Sequence, residues 1–205
     1  MLEKIIRDFV MTWTTIDPIS TLAVFAGLTG SLGAVERRRI AGRATLYAAA
    51  ILIVAVVIGQ IVLDAMGVRL LSLQVAGGII LFLFGLQMLF GSADRETGPH
   101  EKGRDLAVFP LAVPTIAGPG AIMAVILLTD NDVYTVREQA ETAVVVLVVL
   151  ALTYLFLLAS GAILRVIGRQ GAAILTRVMG ILLAALSIEL ILTALRIGSW
   201  AAPKH

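Results

Sequence analysis

The sequence contains no cysteine and only two histidines, His100 and His205. Without cysteine, the chain has neither a disulfide framework nor a thiolate metal site. Both histidines lie in polar segments, so we expect no histidine-based metal centre and no cofactor. The sequence also offers no serine–histidine or paired-aspartate arrangement of the kind that catalysis requires, so we do not expect an enzyme.

Charged residues are scarce as well: they make up 15% of the chain, and the net charge is only +2. So small and scattered a charge does not indicate a nucleic-acid partner. The chain is instead rich in apolar residues, which make up 59% of it, and its mean hydropathy is +0.99. A soluble domain of this length could not bury so much apolar surface, so we predict an integral membrane protein whose first partner is the lipid bilayer.

Six stretches are long enough to cross a bilayer, which takes about 20 apolar residues. They are Ile5–Leu28, Ala44–Leu63, Leu70–Gly91, Leu106–Thr129, Thr142–Leu164 and Val178–Leu195. The second and fifth are rich in Val, Ile and Ala and are expected to face lipid. A polar loop at about residues 92–105 separates the first three spans from the last three. The chain is thus predicted to form a single transmembrane domain over residues 1–205.

The two halves of the chain repeat each other at an offset of about 101 residues. The landmarks that match in order are Asp17-Pro18 with Gly118-Pro119, Gly59 with Gly161, Gly78 with Gly180, and Gln87 with Glu189. Because three spans is an odd number, the second copy must enter the membrane upside down. We therefore predict an all-α fold of six transmembrane helices, built as two inverted three-helix repeats (about 1–91 and 106–205) with broken helices 1 and 4.

Pro18 and Pro119 fall near the middle of the first and fourth spans. Proline removes a backbone N–H and disfavours helix in the preceding residue, and Gly118 and Gly120 loosen the second site further. Each span is predicted to unwind there and to restart with proline at the first helical position. The inverted layout would bring both new N-termini to mid-membrane, where free N–H groups and positive dipole ends favour a carboxylate. A simple kink that permits close helix packing is the alternative.

Asp17 precedes the first of these prolines, and a charge at mid-membrane is costly unless it faces a polar interior. It could pair with a substrate ammonium, carry a coupling proton or help to hold a cation. Its simplest role is to cap the half-helix that starts at Pro18. Ser20, Thr21 and Thr115 could add hydroxyls at a similar depth, although such side chains in membrane helices mostly bond their own backbone.

Gln87 and Glu189 occupy matching positions in the third and sixth spans. In the inverted layout they lie near opposite faces of the membrane, which makes them poor candidates for one shared central site. An interfacial or interhelical hydrogen bond is the favoured role, and a coupling or gating role is the alternative.

The 16 lysines and arginines divide ten to six between the two sides of the predicted membrane. The larger group lies in the loops after the first, third and fifth spans and includes Arg37, Arg38 and Arg39. Since basic residues concentrate on the cytoplasmic side, these loops are predicted to be inside and both termini outside.

Four runs, IDPISTLAVFAGLT, AGGIILFLFGLQMLFG, FPLAVPTIAGPGAI and TRVMGILLAAL, resemble the MarC family of membrane proteins in their order and spacing. The resemblance covers essentially the whole chain, and PLAVPTIAGPGAI is its most specific part. The family's motif positions fall on Asp17, Pro18, Thr21, Gly118, Pro119 and Gly120. Members more often have an acidic residue where this chain has Gln87 and an amide where it has Glu189.

This family is also described as the neutral amino acid transporter family and is grouped with exporters of the lysine-exporter type. The resemblance therefore implies a transporter of small neutral amino acids such as glycine, alanine or serine in a prokaryotic inner membrane, working by alternating access. Proton or sodium coupling and a homo-oligomer are left open. The rivals are a transporter or channel for another small solute and a non-transporting scaffold or regulatory protein.

Overall fold

A computed structural model describes residues 2–90 and 105–195 of the chain. The polar loop predicted at 92–105 lies outside these ranges except for Asp105, and so do Gly91 and both histidines. The regular elements in order are α1 (Leu2–Ile16), α2 (Pro18–Thr29), α3 (Ala34–Ala65), α4 (Leu70–Phe90), an irregular helical segment (Ala107–Ile116), α5 (Pro119–Leu128) and α6 (Val136–Ala194). Every element in the described ranges is helical, which confirms the predicted all-α class.

Five helices are long and apolar enough to cross a membrane. α1 and α2 together form the first, Leu2–Thr29, and α3 and α4 are the next two. α6 contains two, Val136–Val166 and Ala173–Ala194, on either side of a break at Gly168, where φ is +68°. The axes of the irregular segment and α5 differ in direction by 53°. The two together form a sixth span only if this bent pair is taken as a single membrane-crossing segment. The six predicted spans thus correspond to five membrane-length segments, the first of them broken at Asp17, and one bent pair.

The irregular segment interrupts the fourth span earlier than we predicted. Phe109 and Val113 have extended backbone angles inside it, with φ near −130° and ψ of 128°. Each of them precedes a proline, Pro110 or Pro114, and a proline disfavours helix in the residue before it. The N-terminal half of this span is therefore a chain of short turns, and only α5 is regular helix.

A row of alanines on α3 lies in the main hydrophobic cluster. Ala41, Ala44 and Ala48 have no exposed surface, and the cluster also contains Ala107 and Leu111 of the irregular segment. The opposite side of α3 is exposed over most of its length, as expected for a span that faces lipid.

The fifth span is more buried than we predicted. Val146, Val149, Leu150 and Leu157 all lie in the main hydrophobic cluster and are at most 2% exposed. The opposite side of the helix is exposed, with Val144 at 60%, which fits a span that faces lipid on that side. Hydropathy does not predict which side is buried, because lipid tails and a protein core are equally apolar.

α4 packs along the last part of α6 through a pair of glycines. A Cβ atom placed on Gly85 would lie 2.8 Å from the carbonyl oxygen of Gly180, and one placed on Gly180 would lie 2.9 Å from that of Gly85. The two backbones therefore touch, and this contact sets the distance between the third and sixth spans.

Candidate functional site: two helix breaks

The first span breaks at Asp17, which lies between α1 and α2 with φ 47° and ψ 73°. This left-handed conformation is uncommon outside glycine, and aspartate is among the residues that adopt it more readily. Pro18 then starts α2, where its missing N–H costs nothing. Asp17 Oδ1 accepts a hydrogen bond from the Ser20 N–H at 3.2 Å, so the capping role is present in the structure.

The second carboxylate oxygen of Asp17 is not used in this cap. The residue is only 3% exposed, and Oδ2 has no hydrogen-bond partner among the described residues. The Thr12 hydroxyl, on the same broken span, is also buried without a partner there. Pro18 cannot donate to the carbonyl of Thr14, which leaves another acceptor at the end of α1. This stretch of the span therefore holds polar atoms that a proton, a small cation or an ammonium group could satisfy.

The fourth span breaks at Ala117 and Gly118, where the backbone becomes extended before α5 starts at Pro119. Gly118 supplies no side-chain cap. The N–H groups of Gly120 and Ala121 in the first turn therefore have no acceptor within the helix. Both residues are buried, so these N–H groups and the positive end of the helix dipole face the interior of the protein.

Close neighbours leave no room for a side chain at the two glycines of this break. A Cβ atom on Gly118 would lie 2.6 Å from the carbonyl oxygen of Pro114, and one on Gly120 would collide with the Leu81 side chain on α4. The first neighbour is backbone and the second is a side chain. Little free space surrounds the break, which limits any ligand there to a small one.

The two breaks lie in one buried cluster. Ile16, directly before Asp17, belongs to the same cluster as Ile116, Ala117 and Ala121 of the second break. α1 packs against α5, and α2 packs against the irregular segment. The two segments that the sequence singled out separately thus border the same buried cluster.

The hydroxyl groups predicted near the site are mostly engaged with backbone. Thr21 Oγ1 donates to the carbonyl of Ile16 at 3.2 Å, and Thr115 Oγ1 donates to that of Pro110 at 2.7 Å. Ser20 Oγ lies 3.5 Å from Thr176 Oγ1 on α6. Each oxygen keeps lone pairs that could accept a further hydrogen bond.

Gln87 and Glu189 lie on exposed faces of α4 and α6, unlike the buried Asp17. Neither side chain makes a hydrogen bond within residues 2–90 and 105–195, so the interhelical bond considered above is not seen there. Pro119 is also exposed, whereas Pro18 is buried. The structure therefore does not bring Gln87 or Glu189 together with the break residues.

Two cavities lie away from the breaks. One cavity of about 390 Å³ is lined by Glu3, Lys4, Arg7, Tyr134 and Glu138, and another of about 90 Å³ lies between the start of α3 and α6. Neither of them includes a residue of either break. Across the described ranges, no group of three or more acidic or histidine side chains is placed to hold a metal ion.

A buried polar network next to the larger cavity was not predicted from the sequence. Asp8 is 1% exposed, and its Oδ2 accepts hydrogen bonds from Lys4 Nζ and Thr142 Oγ1, both at 2.6 Å. Arg7 donates to the Tyr134 hydroxyl at 2.7 Å. The spacing of Lys4 and Asp8, four residues apart on a helix, could have suggested the ion pair. The partner Thr142 could not have been identified, because it is 134 residues away from Asp8.

Comparison with known proteins agrees with the fold. The family model for MarC family integral membrane proteins matches residues 2–198. Inner membrane proteins named MarC from Escherichia coli and Shigella flexneri are 33% identical to this chain, across 87% of it and 88% of their own length. No solved structure matches the chain. The relatives are named as inner membrane proteins, which fits the membrane-length helices found here. The chain therefore belongs to the MarC family of integral membrane proteins.

Proposed function

We propose that the protein is a secondary transporter of small neutral amino acids, such as glycine, alanine and serine, and that it works by alternating access around the two helix breaks. The observation that carries the proposal is the buried Asp17 carboxylate, whose Oδ2 lacks a hydrogen-bond partner in the described chain. Buried polar oxygens in folded proteins are nearly always satisfied by protein groups or by ordered water. At a break in a membrane span, such an oxygen is available to a water, a proton or a substrate ammonium.

The substrate carboxylate is assigned to the start of α5. The N–H groups of Gly120 and Ala121 are free of intrahelical acceptors, and the helix dipole is positive there. The substrate ammonium is assigned to Asp17 Oδ2 and to the carbonyl groups at the end of α1. A zwitterion would then neutralise both breaks at once. The tight surroundings of Gly118 and Gly120 favour an amino acid with a small side chain.

Alternating access needs two units that move against each other around a fixed site, and two inverted repeats supply them. In an antiparallel pair of broken spans, the first half of one packs against the second half of the other. The contacts of α1 with α5, and of α2 with the irregular segment, support this arrangement.

Polar contacts tie both ends of the bundle together, and transport would require each end to open in turn. At one end, Lys4 and Asp8 of α1 bind Thr142 of α6. At the other, Arg43 of α3 pairs with Asp105, just before the irregular segment. The positions of the basic loops assign the first end to the outside and the second to the cytoplasm. Asp17 lies in the middle of the first span, so a proton bound there could couple the opening of the two ends.

Exchange across liposomes tests the proposal. Purified protein in liposomes loaded with unlabelled serine should take up labelled glycine, alanine or serine faster than protein-free liposomes do. Lysine and glutamate should not exchange, because a site with one carboxylate and helix N–H groups matches a zwitterion without further charge. If none of the three small amino acids moves, with or without a proton gradient, the proposal fails.

A non-transporting scaffold or regulatory protein is the second candidate. The observation that favours it is the tight packing at Gly118 and Gly120, and neither of the two described cavities includes a residue of a break. Cysteine accessibility separates the two candidates. If the breaks open during transport, a cysteine introduced at Ser20 should react with a membrane-impermeant thiol reagent. Adding substrate should then change the rate of that reaction. A scaffold predicts no reaction in either condition.

A further inference from the structure

The smaller cavity, of about 90 Å³, combines basic and apolar walls. It is lined by Phe25, Ala34, Arg37, Arg38, Leu157 and Leu158 and lies where α2, the start of α3 and α6 meet. Two arginines therefore share a cavity with two leucines in a part of the bundle that the transport proposal does not use.

Arg37 is held in a fixed orientation by its neighbours. Its Nη2 donates to Ser160 Oγ at 2.7 Å, and Ser160 is fully buried. The guanidinium lies 5.7 Å from the centre of the Phe25 ring, a cation–π distance. Gly161 lies beside it, since a Cβ atom there would be in ordinary contact with Nη1 at 3.6 Å. A guanidinium has five N–H donors, so most of them remain for a ligand after the Ser160 bond is made.

The apolar side of the cavity continues onto the outer surface of the bundle. Leu158 lines the cavity, is 40% exposed and belongs to a membrane-length helix. In a bilayer its side chain faces the acyl chains. A ligand that fits here carries an anionic group for the arginines and a hydrocarbon chain for Leu158.

We infer that this cavity binds the phosphate headgroup of an anionic phospholipid, with Arg37 and Arg38 on the phosphate and Leu158 against the acyl chain. Guanidinium groups match phosphate oxygens with paired hydrogen bonds. A lipid bound there would bridge α3 and α6 beside the Arg37–Ser160 bond. The inference is independent of the transport proposal, because it concerns another part of the molecule and no transported solute.

Native mass spectrometry of the full-length protein tests this inference, with phosphatidylglycerol and phosphatidylcholine of identical acyl chains supplied in equal amounts. We expect phosphatidylglycerol to be retained about 25-fold in preference, because each of the two arginines near the headgroup contributes roughly a fivefold factor. Arg38→Gln should reduce the preference about fivefold. The matched control is Arg39→Gln. It removes the same charge one residue further along the chain, and Arg39 does not line the cavity.

Ser160→Ala supplies a second variant in which every charge is kept. We expect it to reduce the preference about threefold, because Arg37 then loses the bond that orients it. General attraction between basic residues and anionic lipid predicts no change in this variant and equal losses for Arg38→Gln and Arg39→Gln. Either of those results overturns the inference. Inorganic phosphate added at the lipid concentration should not displace phosphatidylglycerol, and displacement would show that the site takes a free anion instead of a lipid.

Discussion

The hydroxyl oxygen of Thr142 lies 2.6 Å from Oδ2 of Asp8, and both residues are at most 1% exposed. This contact joins the first span to the fifth at the end of the bundle where the chain begins. Lys4 Nζ donates to both partners, so the ammonium, the carboxylate and the hydroxyl are all hydrogen-bonded to one another. A buried carboxylate is tolerated only when such partners satisfy it, which makes each member of the group necessary for stability.

Thr142→Val should destabilise the protein by about 1–3 kcal/mol, because it leaves an oxygen of buried Asp8 short of one donor. Unfolding by denaturant in detergent micelles measures the change. Thr153→Val is the matched control: Thr153 is equally buried on the same helix, but its hydroxyl donates to the carbonyl of Val149. The account is contradicted if the two substitutions cost the same.

Lys4→Met should be more damaging than Thr142→Val. It leaves the Asp8 carboxylate buried without its main counter-ion, which costs about 3–5 kcal/mol when one partner of a buried pair is removed. Adding Asp8→Asn to Lys4→Met removes the uncompensated charge and should restore a large part of the lost stability. No recovery in the double variant would show that Lys4 contributes by packing alone.

Gly180→Ala should destabilise the contact between α4 and the last part of α6 by about 1–3 kcal/mol, because the new methyl group meets the backbone of Gly85. Gly27 of α2 is the control, since a Cβ atom there has nothing within 4 Å. Gly27→Ala should be neutral or stabilising by up to about 1 kcal/mol, as expected for a glycine inside a helix. Thermal unfolding of the two variants side by side would refute the account if their order were reversed.

The two glycines of the second break should respond differently to alanine. Gly120→Ala meets the Leu81 side chain, so the double variant Gly120→Ala/Leu81→Ala should regain folding that Gly120→Ala loses. Gly118→Ala meets the carbonyl oxygen of Pro114, which no side-chain truncation removes. Size-exclusion chromatography and thermal unfolding measure the recovery. Rescue of Gly118→Ala by Leu81→Ala would contradict the geometry.

Hydropathy and proline positions were enough to predict much of this fold. Length and apolarity identified the membrane-spanning segments, and Pro18 and Pro119 marked the points where α2 and α5 begin. The irregular turns at Phe109 and Val113 were missed, although each precedes a proline that carries the same signal. They lie in an apolar run that is long enough to be mistaken for a regular span.

Tertiary features could not be predicted from one sequence. The burial of Val149 on the fifth span was missed because apolar residues suit both lipid and a protein core. The Asp8–Thr142 contact depends on how distant helices pack, which local spacing does not encode. Asp17 was predicted in part. Its role as a helix cap followed from the sequence, whereas the missing hydrogen-bond partner of Oδ2 is visible only in the packed structure.

The most direct test of the transport proposal is exchange of labelled serine by Asp17→Asn in liposomes, measured beside the unaltered protein over a range of pH. Asparagine caps a helix as well as aspartate does, so the bond from the Ser20 N–H and the fold should be kept. The amide has no negative charge and takes up no proton in this pH range, so we predict that exchange falls to the level of protein-free liposomes at every pH while thermal unfolding is unchanged. Serine exchange by Asp17→Asn equal to that of the unaltered protein at all pH values would contradict the account.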